Sequence, residues 1–204
     1  WVGTGERANR QSSSWGDGVY KSTDAGKTWN NVATNLPAEL RDSWVSHVEP
    51  SRTSATTAYV ALDRHFWDDY KPHIFKTTDG GKTFARIVTG LPAKAYVHVV
   101  REDPRNASLL FAGTEMGLYV SWNGGAAWSR LNAKNLPNVA IHDILVHPRE
   151  NDLILGTHGR SILILDDITA LHAAKFHGAR TRRSRILSAL HGLPDGSLPP
   201  GNDA

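Results

Sequence analysis

Short stretches in which β-branched, aromatic and aliphatic residues alternate with polar ones recur along the chain, and Gly, Pro and Asn separate them. This pattern is typical of β-strands joined by tight turns. One set of similar stretches is WVGTGE, TAYVALD, LLFAGTE and LILGTH, and a second set is GVYKSTD, HIFKTTD, LYVSWN and SILILDD. A third set (TWNNVAT, TFARIVT, AWSRLNA) follows the second, and a fourth (WVSHVEP, VHVVREDP, IHDILVHP) precedes the first in three units. The chain therefore repeats a unit of four short strands about every 40 to 55 residues.

Four-stranded units at this spacing predict an all-β fold of the β-propeller type, with about four blades. We name the strands of a blade A to D, from the inner to the outer strand. The predicted blades cover residues 1–34, 44–90, 97–134 and 141–167, within a propeller region of residues 1–168. The first blade lacks strand A and the fourth lacks strand D. The pattern therefore predicts either a very small propeller or an arc of a larger one, and the incomplete first blade favours the arc.

The remaining residues, 169–204, form a basic tail that does not alternate and is expected to be helical or disordered. Because the formal net charge of +3 comes from this tail, we interpret it as a solvated end and expect no nucleic-acid partner. The absence of cysteine excludes disulfides and thiolate metal sites. No apolar run has the length of a membrane helix, so we expect no membrane span. The chain begins with Trp1, which suggests a processed form or a fragment, and we expect a secreted or periplasmic location.

A turn between strands C and D is repeated as KSTDAGKTW, KTTDGGKTF and VSWNGGAAW. It resembles the end of a phosphate-binding loop, but Lys21 and Lys76 occupy the position of the leading glycine and no helix pattern follows. Short acceptor side chains can bond the N–H groups of their own turn, and the glycines allow positive φ angles. Since successive blades point around a ring, the repeated residues cannot converge on one ligand. We therefore expect a structural role for Ser22, Asp24, Gly26, Trp29, Thr77, Asp79, Gly81, Phe84, Ser121, Asn123, Gly125 and Trp128.

These turns resemble the Asp-box (bacterial neuraminidase repeat) pattern S-x-D-x-G-x-T-W, which STDAGKTW matches fully and the other two copies match with substitutions. The flanking segments GLPAKAYVHVVREDPRNASLLFAGTEMGLYVSWNGGAAW and LPNVAIHDILVHPRENDLILGTHGRSILILDDI are similar to sortilin-type propellers of bacteria, which often carry the label "glycosyl hydrolase". The resemblance covers residues 1 to about 168 and implies a propeller with more blades than this chain supplies. The eukaryotic receptors of that family add a Cys-rich module that is absent here, so the receptor role does not carry over.

Ligand sites in propellers of this type lie, by analogy, on the face opposite the repeated turns, where the B–C and D–A loops meet. The segment RHFWDDYKP is the richest of these loops, since it combines aromatic rings with two carboxylates. Alternatively, this loop packs on the neighbouring blade and its carboxylates are solvated. The candidate ligand-binding residues are Arg7, Arg10, Trp15, Asp17, His65, Trp67, Asp68, Asp69, Glu115, His158 and Arg160.

The favoured function is non-catalytic binding of a protein, a peptide or a glycan. The alternative is a glycoside hydrolase, which would need two carboxylates across the scissile bond, but no sequence rule pairs Glu6, Asp68, Asp69 and Glu115. A third hypothesis is a structural arc that self-associates through the open flanks of its terminal blades. No cofactor is expected. No metal is expected either, because His142, His147 and His158 are not at any helix-type metal spacing and strand alternation should separate them.

Overall fold

A computed structural model describes residues 1–4, 18–132 and 136–173 of the chain. Within these ranges the chain forms four antiparallel sheets in succession, with three, four, four and three strands. This is the topology of consecutive propeller blades, so the predicted all-β partial propeller is confirmed. The candidate residues Arg7, Arg10, Trp15 and Asp17, and the tail beyond residue 173, lie outside the described residues.

Each sheet is a simple meander in which sequence neighbours pair. Blade one contains β1 (Val2–Gly3), β2 (Val19–Lys21) and β3 (Asn30–Asn31). Blade two contains β4 (Trp44–Pro50), β5 (Ala58–Arg64), β6 (Asp69–Thr77) and β7 (Ala85–Arg86). Blade three contains β8 (Val97–Glu102), β9 (Leu110–Thr114), β10 (Gly117–Ser121) and β11 (Ser129–Arg130). Blade four contains β12 (Ile141–Val146), β13 (Leu153–Thr157) and β14 (Ile162–Leu165), and helix α1 (Thr169–Ala173) follows it. One-turn 3₁₀ helices lie at Ala33–Asn35, Ala38–Leu40 and His65–Trp67.

The central strands of blades two and three are apolar on both faces because each face packs against a different blade. Along β5, Val60 and Leu62 join the core between blades one and two, whereas Tyr59 and Ala61 join the core between blades two and three. Alternation along the strand, which elsewhere separates core from solvent, here separates two cores. Each blade-to-blade core therefore depends on residues from two consecutive repeats.

The innermost strands of neighbouring blades are joined by polar contacts as well as by apolar packing. The guanidinium of Arg101 on β8 donates to Glu49 on β4 at 2.8 Å, to the carbonyl of Ile144 on β12 at 2.8 Å and to Asp143 at 3.2 Å. Burial raises the pKa of Glu49, although the charge of Arg101 and its hydrogen bonds oppose that shift. A single arginine thus connects three blades at their inner strands.

Blade four exposes apolar surface on one side. In blade four, Leu145 on β12 and Ile162 and Ile164 on β14 are half or more exposed. Helix α1 covers the core on the other side, where Leu171 is fully buried and its carbonyl accepts a hydrogen bond from the indole of Trp122 at 3.1 Å. Among the described residues, no helix has the length and apolar character needed to cross a membrane.

Candidate functional site

The repeated turns at residues 22–29, 77–84 and 121–128 are held by bonds within each turn. In the second turn, Asp79 accepts hydrogen bonds from the backbone N–H of Thr83 at 2.9 Å and from its hydroxyl at 2.6 Å. The hydroxyl of Thr77 donates to Asp79 at 2.9 Å and accepts from the N–H of Gly81 at 2.8 Å. The first turn makes the same bonds, which lower the pKa of Asp24 to about 2 chiefly through Thr28. The repeated polar side chains of these turns therefore make their hydrogen bonds within their own turn.

The third turn is weaker in one respect. Asn123 accepts from the N–H of Ala127 at 2.9 Å and from the hydroxyl of Ser121 at 2.8 Å, but Ala127 has no hydroxyl to offer the bond that Thr28 and Thr83 provide. Gly125 has a φ of 94° and lies against Ile87 of the preceding blade, so a side chain there would be strained. The third turn thus keeps the backbone geometry of the other two turns, although it lacks one of their side-chain hydrogen bonds.

The aromatic residue that ends the turn packs on the preceding blade in the second and third turns. Trp128 is buried and its indole N–H donates to the carbonyl of Ile87 at 2.7 Å, and Phe84 packs on the core that contains Val19 of blade one. Trp29 belongs to the first described blade and is 45% exposed. The predicted packing between sheets therefore holds for Trp128 and Phe84, and it was wrong for Trp29.

At the opposite end of the blades, which we call the loop end, the inner strands share an irregularity. The pairing of strands A and B shifts between Val45 and His47 in blade two, between Val97 and Val99 in blade three, and between Ile141 and Asp143 in blade four. Each shift is a β-bulge with one extra residue, and such bulges turn a side chain away from its regular direction. The extra residues are Ser46, His98 and His142.

The bulges bring rings of three blades into one contiguous set. We call this set the ring row: Phe66, His65, Tyr96, His98, His142 and His158. Successive centroids are 4.0 to 5.0 Å apart, and His65 is stacked on Tyr96 with an angle of 22° between the ring planes. Phe66 also packs on Trp44 at 4.5 Å. The row crosses the loop end from blade two to blade four.

Three of the predicted site residues, His65, Glu115 and His158, meet in or beside this row. Asp63 at the end of β5 is buried, accepts a hydrogen bond from the N–H of His65 at 3.0 Å and lies 2.7 Å from its Nδ1. The carboxylate fixes the orientation of the imidazole, which therefore presents its other nitrogen away from β5. His142 and His158 have centroids 5.0 Å apart, so the expectation that alternation separates them was wrong, because the bulge interrupts the alternation.

Glu115 follows β9 and is the carboxylate closest to the middle of the row. Its Oε2 lies 3.0 Å from Nε2 of the buried His98. Partial burial by itself would raise the pKa of Glu115, but the hydrogen bonds from His98 and Tyr96 and the charges of His98 and His142 hold it below its usual value. Burial, together with the hydrogen bond to Glu115 and the charge of that carboxylate, raises the pKa of the Tyr96 hydroxyl. Glu115 is thus a partly exposed carboxylate that accepts hydrogen bonds from His98 and Tyr96.

The other predicted residues of this end stand apart from the row. Asp69 lies 2.9 Å from Nε2 of His73 and accepts a hydrogen bond from the N–H of Lys71, so these hydrogen bonds lie within its own strand, β6. Asp68 is exposed in a left-handed conformation with a φ of 58°. Trp67 packs on Trp44 and under the guanidinium of Arg64. Arg160 is exposed in the turn after β13, with its backbone N–H bonded to the hydroxyl of Thr157.

Sequence reasoning missed His98, His142 and Asp63 as site residues. A signal existed for the first two, because an alignment of WVSHV, YVHVV and AIHDI places Ser46, His98 and His142 in the same column. Nothing in the alternation indicates that the column is a bulge, since a bulge is recognised by strand pairing.

No protein-family model matches the sequence, and a search of curated proteins finds no match. Similar solved structures are nevertheless found, all with few identical residues. The GH74 xyloglucanase from Xanthomonas campestris has a TM-score of 0.58 and 16% identity over 74% of this chain and 26% of its own. The extracellular domain of BT4673 from B. thetaiotaomicron has a TM-score of 0.53 and 16% identity over 72% of this chain and 19% of its own.

A third similar structure is YCF48 bound to D1 peptide, with a TM-score of 0.50 and 15% identity over 76% of this chain and 52% of its own. The chain therefore spans about a quarter of the similar GH74 enzyme and about half of YCF48. Because the identities are below a fifth, these likenesses show the propeller fold alone, and they are divided between an enzyme, an extracellular domain and a peptide complex.

Proposed function

We propose that the chain is a non-catalytic binding module that takes an extended peptide along the ring row at its loop end. The observation that carries this proposal is the row itself, which is continuous over three blades and contains both imidazoles and a phenol. Phe66, Tyr70 and Met116 are at the same end and are 55%, 44% and 40% exposed. Exposed apolar side chains beside fixed polar groups suit a peptide, which offers both kinds of contact.

A peptide is favoured over a glycan by the way the rings are used. Sugars pack on open ring faces, whereas His65 and Tyr96 are stacked face to face at 4.8 Å, and His98 and His142 crowd each other at 4.1 Å with their ring planes tilted by 37°. The exposed imidazole of His158, at one end of the row, can hydrogen-bond to the backbone groups of a peptide. The similar fold of YCF48, solved with a peptide bound, is consistent with this choice.

The glycoside hydrolase alternative finds less support in the electrostatics. Such an enzyme needs a carboxylic acid of raised pKa at the scissile bond. Among the described loop-end carboxylates, Glu115 and Asp69 have lowered pKa values because the hydrogen bonds they accept outweigh the effect of burial. We expect no release of sugar from aryl glycosides, xyloglucan or sialyl oligosaccharides.

The binding proposal is tested with an array of random twelve-residue peptides and a glycan array, each probed with the purified chain. We expect enriched peptides whose affinity falls at least tenfold in Tyr96→Ala. The matched control is Lys82→Ala, an exposed residue of the second repeated turn, which should bind as the wild type does. Enrichment on the glycan array alone, or binding that survives Tyr96→Ala, would contradict the proposal.

A second proposed role is self-association through the exposed face of blade four. Leu145, Ile162 and Ile164 form an apolar strip of the kind that soluble monomers seldom expose over a large area. We expect light scattering to detect dimers or larger species at tens of micromolar, and Ile162→Lys together with Ile164→Lys to return the chain to a monomer. A wild-type chain that remains monomeric would contradict this role. A location outside the cytoplasm is proposed on the likeness to an extracellular domain.

A further inference from the structure

The middle of the ring row contains three potential metal ligands from two blades. His98 is the bulge residue of β8, His142 is the bulge residue of β12, and Glu115 follows β9. One donor atom from each of the three lies within 4.8 Å of the other two. Tetrahedral zinc with ligand bonds of about 2.1 Å requires donor atoms about 3.4 Å apart. The three donors therefore lie close to the spacing that a shared ion requires.

We propose that His98, Glu115 and His142 form a binding site for a divalent transition-metal ion, with Zn²⁺ as the best match. Two imidazole nitrogens and one carboxylate oxygen are a donor set that zinc and its neighbours in the first row prefer. Calcium and magnesium favour sets of oxygen ligands, which this cluster does not offer. The proposed site departs from the expectation from sequence that the chain holds no metal.

The local charge suits a cation. Among the described residues, Glu115 forms its ion pair with His98 and with no lysine or arginine. In the deprotonated form that metal binding requires, the carboxylate and the two imidazoles together carry one negative charge, so a bound divalent ion would leave one positive charge for a further ligand. The hydroxyl of Tyr96 bonds the same carboxylate and would orient it, as outer residues of metal sites commonly do.

The proposed site is buried on one side and open to solvent on the other. His98 is 4% exposed, whereas the side chain of Glu115 is 43% exposed, so the ion would have protein on the side of β8 and solvent on the side of the B–C loop. His158 is exposed and its ring lies 5.0 Å from that of His142. It can therefore provide a fourth ligand or leave that position to water or to a bound molecule. Three protein ligands with an open position are the arrangement found in non-structural zinc sites.

An alternative explanation is that His98 and Glu115 form only a hydrogen-bonded pair that holds blade three. That explanation accounts for their 3.0 Å contact. It does not account for His142, which the bulge of a different blade brings to within 4.1 Å of the His98 ring. Two imidazoles this close would repel each other if both were protonated, and a shared metal ion would favour their neutral forms. The two explanations differ in whether Zn²⁺ binds and whether His142 matters.

The test is titration of the untagged, chelator-treated chain with Zn²⁺ alone, followed by calorimetry and by metal analysis after dialysis. We expect one ion per chain with micromolar or tighter affinity, no comparable binding of Mg²⁺ or Ca²⁺, and weaker binding below pH 6, where imidazoles are protonated. Co²⁺ should give visible absorption bands that Zn²⁺ displaces. Because the probe is the metal ion alone, failure here is independent of whether the chain binds a peptide.

Glu115→Gln and His142→Asn should each weaken Zn²⁺ binding at least tenfold. Both positions are partly or largely exposed, so these variants are expected to fold even where a change at buried His98 is not tolerated. His147→Asn is the matched control, since it removes an imidazole from the far end of the same blade and should leave the affinity unchanged. The proposal is overturned if the wild type binds no Zn²⁺, or if His147→Asn weakens binding as much as the other two variants.

Discussion

The two ends of the same blades use the repeat in opposite ways. At the end with the repeated turns, Asp24 and Asp79 make the same bonds in their two blades, and each bond stays within its own turn. At the loop end, the equivalent bulge position is serine in blade two (Ser46) and histidine in blades three and four (His98 and His142), and these side chains contact a neighbouring blade. Residues that recur unchanged therefore report how a blade is built. Residues that change at equivalent positions, where blades converge, indicate a binding surface that several blades share.

The largest expected effect comes from removing the arginine that joins the inner strands. Arg101→Ala leaves Glu49 buried without its partner, and we expect the free energy of unfolding to fall by about 2–4 kcal/mol. This loss is smaller than for a fully buried pair because the side chain of Arg101 is 24% exposed. Chemical denaturation measures this loss. In the double variant Glu49→Gln, Arg101→Ala, the uncompensated charge is gone and much of the loss should be recovered. An equally unstable double variant would contradict the role given to the buried carboxylate.

The next effect concerns the repeated turns. Asp79→Ala removes the acceptor for both bonds from Thr83, and we expect the melting temperature to fall by roughly 3–6 °C. Asp24→Ala should have a smaller effect, since the glycine and the aromatic residue of the first turn are exposed. Zinc and peptide binding at the loop end should not change in either variant. Loss of binding with unchanged melting would mean that the turns are a site, and the contrast between the two ends would fail.

Stability should also depend on pH through the loop end. Burial lowers the pKa of His73 in the folded protein, against the opposing hydrogen bond and charge of Asp69. The unfolded chain then binds more protons near pH 6, so this contribution is full above the unfolded pKa of about 6.5 and is lost as the pH falls below it. Denaturation curves at pH 7.5 and 5.5 should show lower stability at pH 5.5. His73→Gln should reduce that difference, and an unchanged difference would assign it to other groups.

The smallest expected effect is a gain. Asn123→Asp with Ala127→Thr gives the third turn the acceptor and the hydroxyl that the other two turns possess. We expect the melting temperature to rise by roughly 1–3 °C, measured by calorimetry. Ala127→Ser is a useful companion, since it adds a hydroxyl without the methyl group. A fall in both variants would indicate that blade three is adapted to the weaker turn.

The fold could be predicted from the sequence because every blade repeats the same local signals. Alternation, Gly and Pro at the turns and an acceptor at Asp24 and Asp79 are all visible in short segments. The membership of the ring row could be anticipated only in part: the predicted residues His65 and His158 lie in it and Glu115 lies beside it, whereas His98 and His142 were not among the predicted ligand-binding residues. The missed residues depend on the register between two strands, as at Val97 and Val99, and on the approach of a second blade. Neither the register between strands nor the approach of a second blade can be predicted from the alternation of polar and apolar residues along a single strand.

The packing of Trp128 on Ile87 has a consequence for how the chain is made. The indole that closes blade two lies 41 residues after the carbonyl that it binds. A ribosome delivers the chain from its N-terminus, so all four strands of blade two emerge while one of its faces is still bare. Each blade is completed only when part of the next one has been synthesised. The growing chain therefore always carries one unfinished face, and it is the most recently made blade that a chaperone would encounter.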